Sequence, residues 1–424
     1  MRVQLEYGKT WLAVELPDRN VVSVLRLSPA PAVPDPVYAT ASALLNPIGT
    51  APLIELARGR RDACIVVCDV TRPVPNQILL PPIFACLEQA AIPRDRITIL
   101  VATGTHRPNS GAELDAILGP GIIESCRVVN HVSRDRESQS FLGITEAGVP
   151  AFIDRTYCEA DLKITVGLIE PHFMAGYSGG RKLIMPGLAA QETVEAWHSP
   201  KFLEHPDATS GIVDGNPVHE ESLFIAKMVP PDMIVDVTLD EQNRITGIFA
   251  GELEAAWRRG VEFAEKSVRA SVSDPVDIVV TTCAGHPLDA TFYQAVKGIV
   301  GALPILKRGG SIIIAASCSE GIGGPEFART LLETDDLAEF HHAMQQPDWK
   351  FIPDQWEVEE LAKVVLHHEV YCVCDGIPAD TLSRLFVTPA VTVEDAVASA
   401  LAKHGKDASI AVIPKGPYVI PRVK

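Results

Sequence analysis

Imidazole, guanidinium and carboxylate groups stand at the ends of three short apolar runs in the first half of the sequence. At the end of the run 64–70 lie Asp69, Thr71 and Arg72. The run 97–102 is followed by Thr103, Gly104, Thr105, His106 and Arg107. The run 162–169 is followed by Glu170, Pro171 and His172. A lone histidine is most often a surface or satisfied core residue, but two at strand ends beside Gly or Pro lie where a rigid sheet supports functional loops. Because imidazole ordinarily has a pKa of about 6.5, such a pair can exchange protons near neutral pH.

A glycine-rich segment, 175–182, follows the second histidine and could bind an anion such as phosphate through its backbone N–H groups. The small residues that this segment contributes are Gly176, Ser178, Gly179 and Gly180. The segment is not a P-loop, because Leu183 follows Lys182 where Ser or Thr is required, and its glycines are too close together for a dinucleotide fingerprint. From the residues alone, Lys182 is either a ligand-binding group or a solvated charge. His198 lies sixteen residues further on, at the end of a predicted helix.

A second polar group lies on a predicted helix in the other half of the chain. Gln294 and Lys297 are three residues apart and share one helix face, which suits a carboxylate ligand, with Tyr293 as a hydrogen-bonding wall. A surface turn with Lys297 in solvent fits the same pattern. Trp356 is predicted to precede a helix that begins near Val358, where a tryptophan more often packs than binds.

Apolar runs alternate with helical segments along the chain, which predicts an α/β fold with buried parallel strands. The predicted strands are 64–70, 97–103, 162–169, 276–283, 311–317, 371–375 and 409–414, and the predicted helices are Asn76–Ala91, Thr193–His198, Ala290–Leu303 and Val393–Lys403. A boundary near 267–275 divides an N-terminal, cofactor-binding α/β domain (1–270) from a C-terminal α/β domain (275–424), whose last segment could pack back on the first domain. Ligands of open α/β sheets bind outside the carboxyl ends of the strands, where the polar groups lie.

Composition excludes several classes of protein. With 47% hydrophobic and 21% charged residues the chain is globular rather than disordered, and a net charge of −17 argues against nucleic-acid and membrane partners. Nine cysteines without a Cys-x-x-Cys pair are no disulfide framework. The N-terminus alternates like a strand pair and lacks the apolar core of a signal peptide, and no stretch reaches the roughly 18 apolar residues of a membrane span. We therefore expect a cytoplasmic protein.

Five blocks of the sequence resemble the nickel-pincer-nucleotide-dependent lactate racemase family. In chain order the blocks are Asp69-Val70-Thr71-Arg72-Pro73, Ala102-Thr103-Gly104-Thr105-His106-Arg107, Pro171-His172-Phe173-Met174-Ala175-Gly176-Tyr177-Ser178-Gly179-Gly180-Arg181-Lys182, Trp197-His198 and Asp289-x-x-x-Tyr293-Gln294-x-x-Lys297-Gly298. Five ordered blocks spread over most of the chain are more specific than any single motif.

The resemblance implies two domains, each with a mainly parallel Rossmann-like sheet flanked by helices, and an active site in the interdomain cleft. It also implies a nickel-pincer nucleotide, a pyridinium-3-thioamide-5-thiocarboxylic acid mononucleotide that grips nickel on either side of a ring carbon. Lys182 matches the lysine joined to the thioamide, His198 matches the fourth nickel ligand, and His106 and His172 match the catalytic histidines. Other cofactor contacts are assigned to Asp69, Thr103, Gly104, Thr105, Ser178, Gly179 and Gly180, and substrate contacts to Arg72, Tyr293, Gln294, Lys297 and Trp356.

The implied reaction is racemisation of a 2-hydroxy acid at C2. A cofactor that accepts hydride avoids a carbanion beside a carboxylate. Loss of hydride and of the hydroxyl proton gives a planar 2-keto acid, and because the two enantiomers present their hydroxyl groups differently, two bases are needed. The family includes members that act on lactate, malate and other 2-hydroxy acids. A second carboxylate would need a further cation, such as Arg107 or Arg181.

Three other functions stay open at this point. The first is an NAD-dependent 2-hydroxyacid oxidoreductase, although the sequence has no usable glycine fingerprint for the dinucleotide. The second is a lysine Schiff-base enzyme that uses Lys182, and the third is a non-catalytic nickel-nucleotide carrier. A carrier would need neither His106 nor His172. The expected partners are a small 2-hydroxy acid and the proteins that synthesise the cofactor.

Overall fold

The computed structural model describes residues 1–28, 30–346 and 348–424. Its strands are β1 (Arg2–Tyr7), β2 (Thr10–Glu15), β3 (Val21–Val24), β4 (Ala63–Cys68), β5 (Ile97–Ala102), β6 (Arg127–Asn130), β7 (Gln139–Ile144), β8 (Pro150–Asp154), β9 (Leu162–Leu168), β10 (Pro171–His172), β11 (Gly176–Tyr177), β12 (Met233–Leu239), β13 (Ile245–Gly251), β14 (Arg269–Val272), β15 (Val276–Thr282), β16 (Leu306–Ala315), β17 (Glu369–Val373), β18 (Thr388–Ala390), β19 (Ile410–Ile413) and β20 (Ile420–Val423). Its α-helices are α1 (Pro36–Leu45), α2 (Leu53–Ala57), α3 (Asn76–Gln89), α4 (Ala112–Leu118), α5 (Pro120–Ile123), α6 (Arg155–Glu159), α7 (Gln191–Trp197), α8 (Pro200–Leu203), α9 (Pro217–Met228), α10 (Leu253–Val268), α11 (Phe292–Val300), α12 (Pro325–Glu333), α13 (Leu337–Ala343), α14 (Gln355–Val365), α15 (Ala379–Ser383) and α16 (Val393–His404).

The chain divides into two compact units, and neither is a single stretch of sequence. The Lys182 unit consists of Pro29–Glu170 and Met174–Ser267. The Lys297 unit consists of Met1–Ser28, Pro171–Phe173 and Val268–Lys424. The first residues of the chain therefore belong to the same unit as the last ones.

The Lys182 unit is built on a sheet with the strand order β13-β12-β9-β4-β5-β6. All neighbours are parallel except β12 and β13, which are antiparallel. Its strands are nearly continuous Val, Ile and Leu runs because both faces are buried, as the complete burial of the successive residues Ile65, Val66 and Val67 shows. The central strand β4 has β5 on one side and β9 on the other, so the strand order reverses there. In open sheets of this kind, ligands bind at the carboxyl ends of the strands where the order reverses.

The Lys297 unit has a parallel sheet with the order β18-β17-β16-β15-β19-β3. The edge strand β3 comes from the N-terminal segment and pairs with β19. The antiparallel hairpin β1–β2 buries Val3, Leu5, Val14 and Leu16 in the same core. This hairpin confirms the strand pair that the N-terminal alternation predicts.

The predicted α/β class with two mainly parallel sheets is confirmed, and each predicted strand and helix is present with its ends shifted by a few residues. The predicted position of Trp356 is wrong. Helix α14 begins at Gln355, so Trp356 lies in its first turn, because the left-handed backbone of Asp354 (φ 64°) ends the preceding turn just before it. Within the described ranges the cysteines are free, and no helix is long and apolar enough to cross a membrane.

Candidate active site

Asp69 and His106 form a pair at the carboxyl ends of the neighbouring strands β4 and β5. The Nδ1 atom of His106 lies 2.8 Å from Oδ2 of Asp69, and the hydroxyl and N–H groups of Thr71 donate to Oδ1. Burial alone would raise the pKa of Asp69, but the hydrogen bonds and charge of His106, together with Thr71, lower it below its ordinary value. An ionised carboxylate only accepts hydrogen bonds, so Nδ1 of His106 carries the proton and Nε2 is left as the base. The imidazole is 48% exposed, so a substrate can reach it.

Arg72 and Glu170 form an ion pair at the same edge of the sheet. The guanidinium of Arg72 follows β4 and lies 2.8 Å from the carboxylate of Glu170, which follows β9. The side chains are 23% and 12% exposed, so the pair is largely shielded from water. A neighbouring carboxylate holds the guanidinium in a defined position, which a bidentate carboxylate clamp requires.

The turn after β5 is anchored to the chain that follows Lys182. Thr103 is buried and its hydroxyl donates to the carbonyl of His131 at 2.7 Å. The N–H of Gly104, which has a positive φ, donates to the carbonyl of Gly187 at 2.9 Å. Thr105 is partly exposed in the same turn. The bond of Thr103 ties the loop that carries His106 to the end of β6, and the bond of Gly104 ties it to the segment that follows Lys182.

Asp236 on β12 holds the loop before Lys182 in place. The N–H of Gly180 donates to Oδ2 of Asp236 at 2.7 Å, and a Cβ at Gly179 would lie 2.8 Å from the same oxygen. Ser178 is buried and its hydroxyl donates to the carbonyl of Leu168 at 2.6 Å. Burial raises the pKa of Asp236 to about 7, although the bond from Gly180 and the charge of Arg181 act in the opposite direction. The loop is therefore fixed by its neighbours, and the N–H group of Gly180 binds a protein carboxylate.

His198 is the C-cap residue of α7, at the predicted helix end, and its imidazole is half-buried. Burial, followed by the charge of Lys182, lowers the pKa of His198 well below its ordinary value. The Nζ atom of Lys182 lies 5.3 Å from the ring centroid of Trp197, the residue before His198. The structure thus brings Lys182 and a neutral imidazole together, and a neutral imidazole is the form that binds a metal ion.

The two arginines considered for a second carboxylate have other partners. Arg107 forms a bidentate ion pair with Glu113, with N–O distances of 2.8 and 2.6 Å. Arg181 is buried, donates to the carbonyls of Ala175 and Tyr177 at 2.8 Å each, and stacks over the ring of Trp257. Both guanidinium groups therefore hold protein structure.

The Lys297 unit groups most of the residues predicted to bind substrate. Lys297 donates to the side-chain carbonyl of Gln294, one turn earlier on α11. The indole N–H of Trp356 donates to the hydroxyl of Tyr293 at 2.8 Å, which joins α14 to α11. The ammonium group of Lys297 and the amide of Gln294, three residues apart on α11, can together bind one carboxylate.

His172 also lies in the Lys297 unit, because the short segment Pro171–Phe173 groups with it. The imidazole of His172 stacks on the ring of Phe173, with centroids 5.1 Å apart. The Nζ atom of Lys297 lies 5.5 Å from the centroid of that same ring. The predicted catalytic histidines thus belong to different units, His106 to one and His172 to the other.

Two buried carboxyl groups, Asp236 and Glu357, were not predicted. Asp236 has a partial signal in the sequence, since Gly167 inside the strand LKITVGL indicates a close approach, and a Cβ there would lie 2.5 Å from Oδ1 of Asp236. Glu357 has no comparable signal, because a Glu in the first turn of a helix is ordinarily solvated.

Comparisons with known proteins agree with this geometry. A model of the lactate racemase N-terminal domain matches residues 7–211, and a model of the lactate racemase C-terminal domain matches residues 272–421. The chain is 38% identical to the lactate racemase of Lactiplantibacillus plantarum over 99% of both chains. It is 36% identical to the lactate racemase of Thermoanaerobacterium thermosaccharolyticum, over 100% of this chain and 99% of that one.

Solved structures give the same result. The lactate racemase apoprotein from Thermoanaerobacterium thermosaccharolyticum matches with a TM-score of 0.93 and 35% identity over 100% of both chains. A Thermotoga maritima protein matches with a TM-score of 0.72 and 18% identity, over 92% of this chain and 99% of that one, and so shares the fold. Fold, site and relatives define an isomerase, a racemase that acts on hydroxy acids. The chain belongs to the lactate racemase family.

Proposed function

We propose that this enzyme racemises lactate, using a nickel-pincer nucleotide joined to Lys182. The observation that carries the proposal is the half-buried, neutral imidazole of His198 beside the charge of Lys182. One residue there can form a bond to an organic group, and the other can bind a metal ion that the group carries.

The residues present fit such a group. Among the residues that the structure describes, no three His, Cys, Asp or Glu side chains form a site that could hold a metal ion. A metal that its own nucleotide holds would need only one protein ligand, and an imidazole nitrogen would suit nickel in that role. His198 would be that ligand and Lys182 the point of attachment. When bound, the group supplies a reversible acceptor for the hydride of C2.

His106 and His172 are the proposed bases for the hydroxyl proton. Asp69 keeps the proton of His106 on Nδ1, so Nε2 can take the hydroxyl proton of one enantiomer. We assign the other enantiomer to His172. Either base then returns its proton to the planar keto acid, and the face that receives the hydride determines the product.

Arg72, Lys297 and Gln294 are the proposed groups for the substrate carboxylate, with Tyr293 and Trp356 as the pocket wall. Arg72 would supply a bidentate clamp and Lys297 a point charge. Because Arg107 and Arg181 are engaged with protein groups, we propose a monocarboxylic substrate, lactate, rather than malate.

The remaining cofactor contacts stay predictions. We separate residues that shape the pocket from residues that contact the nucleotide. Thr103, Gly104, Ser178 and Gly180 make hydrogen bonds to the protein and would shape the cofactor pocket. Thr105 and Gly179 would be the backbone groups nearer the nucleotide. Cofactor-synthesising partners and a cytoplasmic location belong to the same proposal.

The test is the intact mass of protein produced together with the cofactor pathway, with nickel measured in the same sample. We expect a mass adduct and bound nickel, together with conversion of one lactate enantiomer into the other by chiral chromatography. Lys182→Ala should lose the adduct, and His198→Ala should keep the adduct but lose most of the nickel. An unmodified mass in a preparation that loads a known family member would refute the proposal.

A further inference from the structure

A buried carboxyl group lies beside the proposed substrate cation Lys297. Glu357 occupies the first turn of α14 and is only 1% exposed. Among the described residues its Oε1 atom has no hydrogen-bond partner. A buried carboxylate without a partner is costly, so a group in this position either stays protonated or takes a nearby cation.

The packing of α14 on α11 determines that Lys297 is the cation beside Glu357. The bond from Trp356 to the hydroxyl of Tyr293 holds the first turn of α14 against α11. Lys297 lies four residues after Tyr293 and therefore on the same face of α11. Lys297 is also the positive charge that acts on Glu357.

The other groups around Glu357 are accounted for by their partners or their burial. Glu360 forms an ion pair with Lys363 at 2.6 Å, and Asp354 is the half-buried residue before the first turn of α14. Burial raises the pKa of the Tyr293 hydroxyl and of the Cys283 thiol at the end of β15, so both are neutral near pH 8. Burial, with Glu360 and Asp354, raises the pKa of Glu357 to about 8, while Lys297 opposes the rise. Glu357 therefore changes charge in the alkaline range, where the Tyr293 hydroxyl and the Cys283 thiol stay neutral.

We propose that Glu357 is a positioning residue that competes with the substrate carboxylate for Lys297. When Glu357 is protonated, Lys297 is available to the substrate. When Glu357 is ionised, its carboxylate binds Lys297 within the protein, and the substrate anion must displace a like charge in a buried site. Substrate binding at alkaline pH therefore takes up one proton, onto Glu357.

This inference rests on the proposed role of Lys297 and has a measurable size. If only the protonated form binds substrate, the apparent affinity falls with the fraction of protein in that form. KM for lactate should then rise about tenfold per pH unit above the pKa of Glu357, whereas kcat should follow the catalytic histidines.

The experiment compares KM and kcat of the cofactor-loaded enzyme between about pH 6.5 and 9.5 for wild type, E357Q and E360Q. Glutamine has the shape of the protonated acid and cannot ionise, so KM of E357Q should stay flat where that of wild type rises. E360Q, a change of the same kind three residues away, should keep the rise but begin it at a lower pH, because the charge of Glu360 helps to raise the pKa of Glu357. An equal alkaline rise in E357Q would mean that another group, such as Lys297 itself, titrates, and would overturn the inference.

A second measurement does not depend on how E357Q folds. Calorimetric titration of wild type with pyruvate near pH 9, in two buffers of different ionisation enthalpy, should show uptake of about one proton per pyruvate bound. No proton uptake would overturn the inference. K297A separates the two proposals: an unchanged KM in K297A would refute the role of Lys297, whereas a raised KM together with a wild-type pH profile in E357Q would refute only the role of Glu357.

Discussion

At the scale of single residues, the site depends on carboxylates that control other groups rather than on carboxylates that react. Asp69 fixes the tautomer of His106, and Glu170 fixes the guanidinium of Arg72. Both partners of each pair come from the ends of neighbouring strands, so the sheet sets their distance. A small change in one of these carboxylates should therefore affect the reaction without affecting the fold.

Asp69→Asn tests that dependence. The amide can donate to Nδ1 of His106 and would then favour the tautomer that carries its proton on Nε2, which is no longer a base. We expect kcat to fall by about 10²–10⁴-fold with little change in KM. The measurement is lactate racemisation by loaded D69N, with D115N as a control because Asp115 is exposed on α4. A loss of activity below about threefold would contradict the role of Asp69.

At the scale of elements, the strands and the loops that follow them differ in how far the sequence predicts them. Strand β9 is recognisable because its apolar residues are local and continuous, and the closeness of Asp69 and His106 follows from parallel strands ending at one edge. The bond between Gly180 and Asp236 joins residues 56 positions apart and leaves no local pattern. Burial of Glu357 depends on which helix packs over it, and spacing along the chain does not contain that information.

Asp236→Asn tests how the loop before Lys182 is held. The ordinary pKa of 3.8 is raised to about 7 in the folded protein, so the folded state keeps a proton that the unfolded chain releases. Asp236 therefore lowers the free energy of unfolding as pH rises from about 4 to 7 and has no further effect above that range. Asparagine keeps an acceptor for Gly180, and denaturant unfolding of D236N should show a smaller decrease between about pH 5 and 8 than wild type. Identical pH dependence in the two proteins would mean that Asp236 is ionised throughout.

At the scale of the whole molecule, the order of residues in the chain differs from their order in the folded units. The N-terminal segment completes the Lys297 unit, where the side chain of Asn20 donates to the carbonyls of Lys406 and Ala408 at 2.9 and 2.8 Å. The sequence predicts residues 1–270 as one domain, because its clearest boundary lies near 267–275, where a charged helix gives way to a buried strand. The pairing of β3 with β19 has no counterpart in local sequence.

Removal of residues 1–28 tests the contribution of that segment. Val3, Leu5, Val14 and Leu16 would be lost from the core, each contributing about 1.5–3 kcal/mol, and a typical domain is stable by only about 5–15 kcal/mol. We expect rapid proteolysis of 268–424 in the truncated protein and slower cleavage of the Lys182 unit. Trp11→Ser, at a side chain that is 60% exposed, is the control and should behave as wild type. Equal protease resistance of the two units after truncation would contradict this expectation.

The pairing of β3 with β19 also determines the order in which the two units can fold during synthesis on the ribosome. Val21 emerges about 390 residues before its partner Ile410, while domains generally fold as units during translation. The Lys182 unit receives its last residue at Ser267 and can begin to fold while the rest of the polypeptide is still being made. Strand β3 must wait for its partner, and the apolar face of the hairpin stays uncovered, until the core of the Lys297 unit has been synthesised. A nascent chain of this enzyme therefore leaves residues 1–28 accessible to chaperones for most of its synthesis.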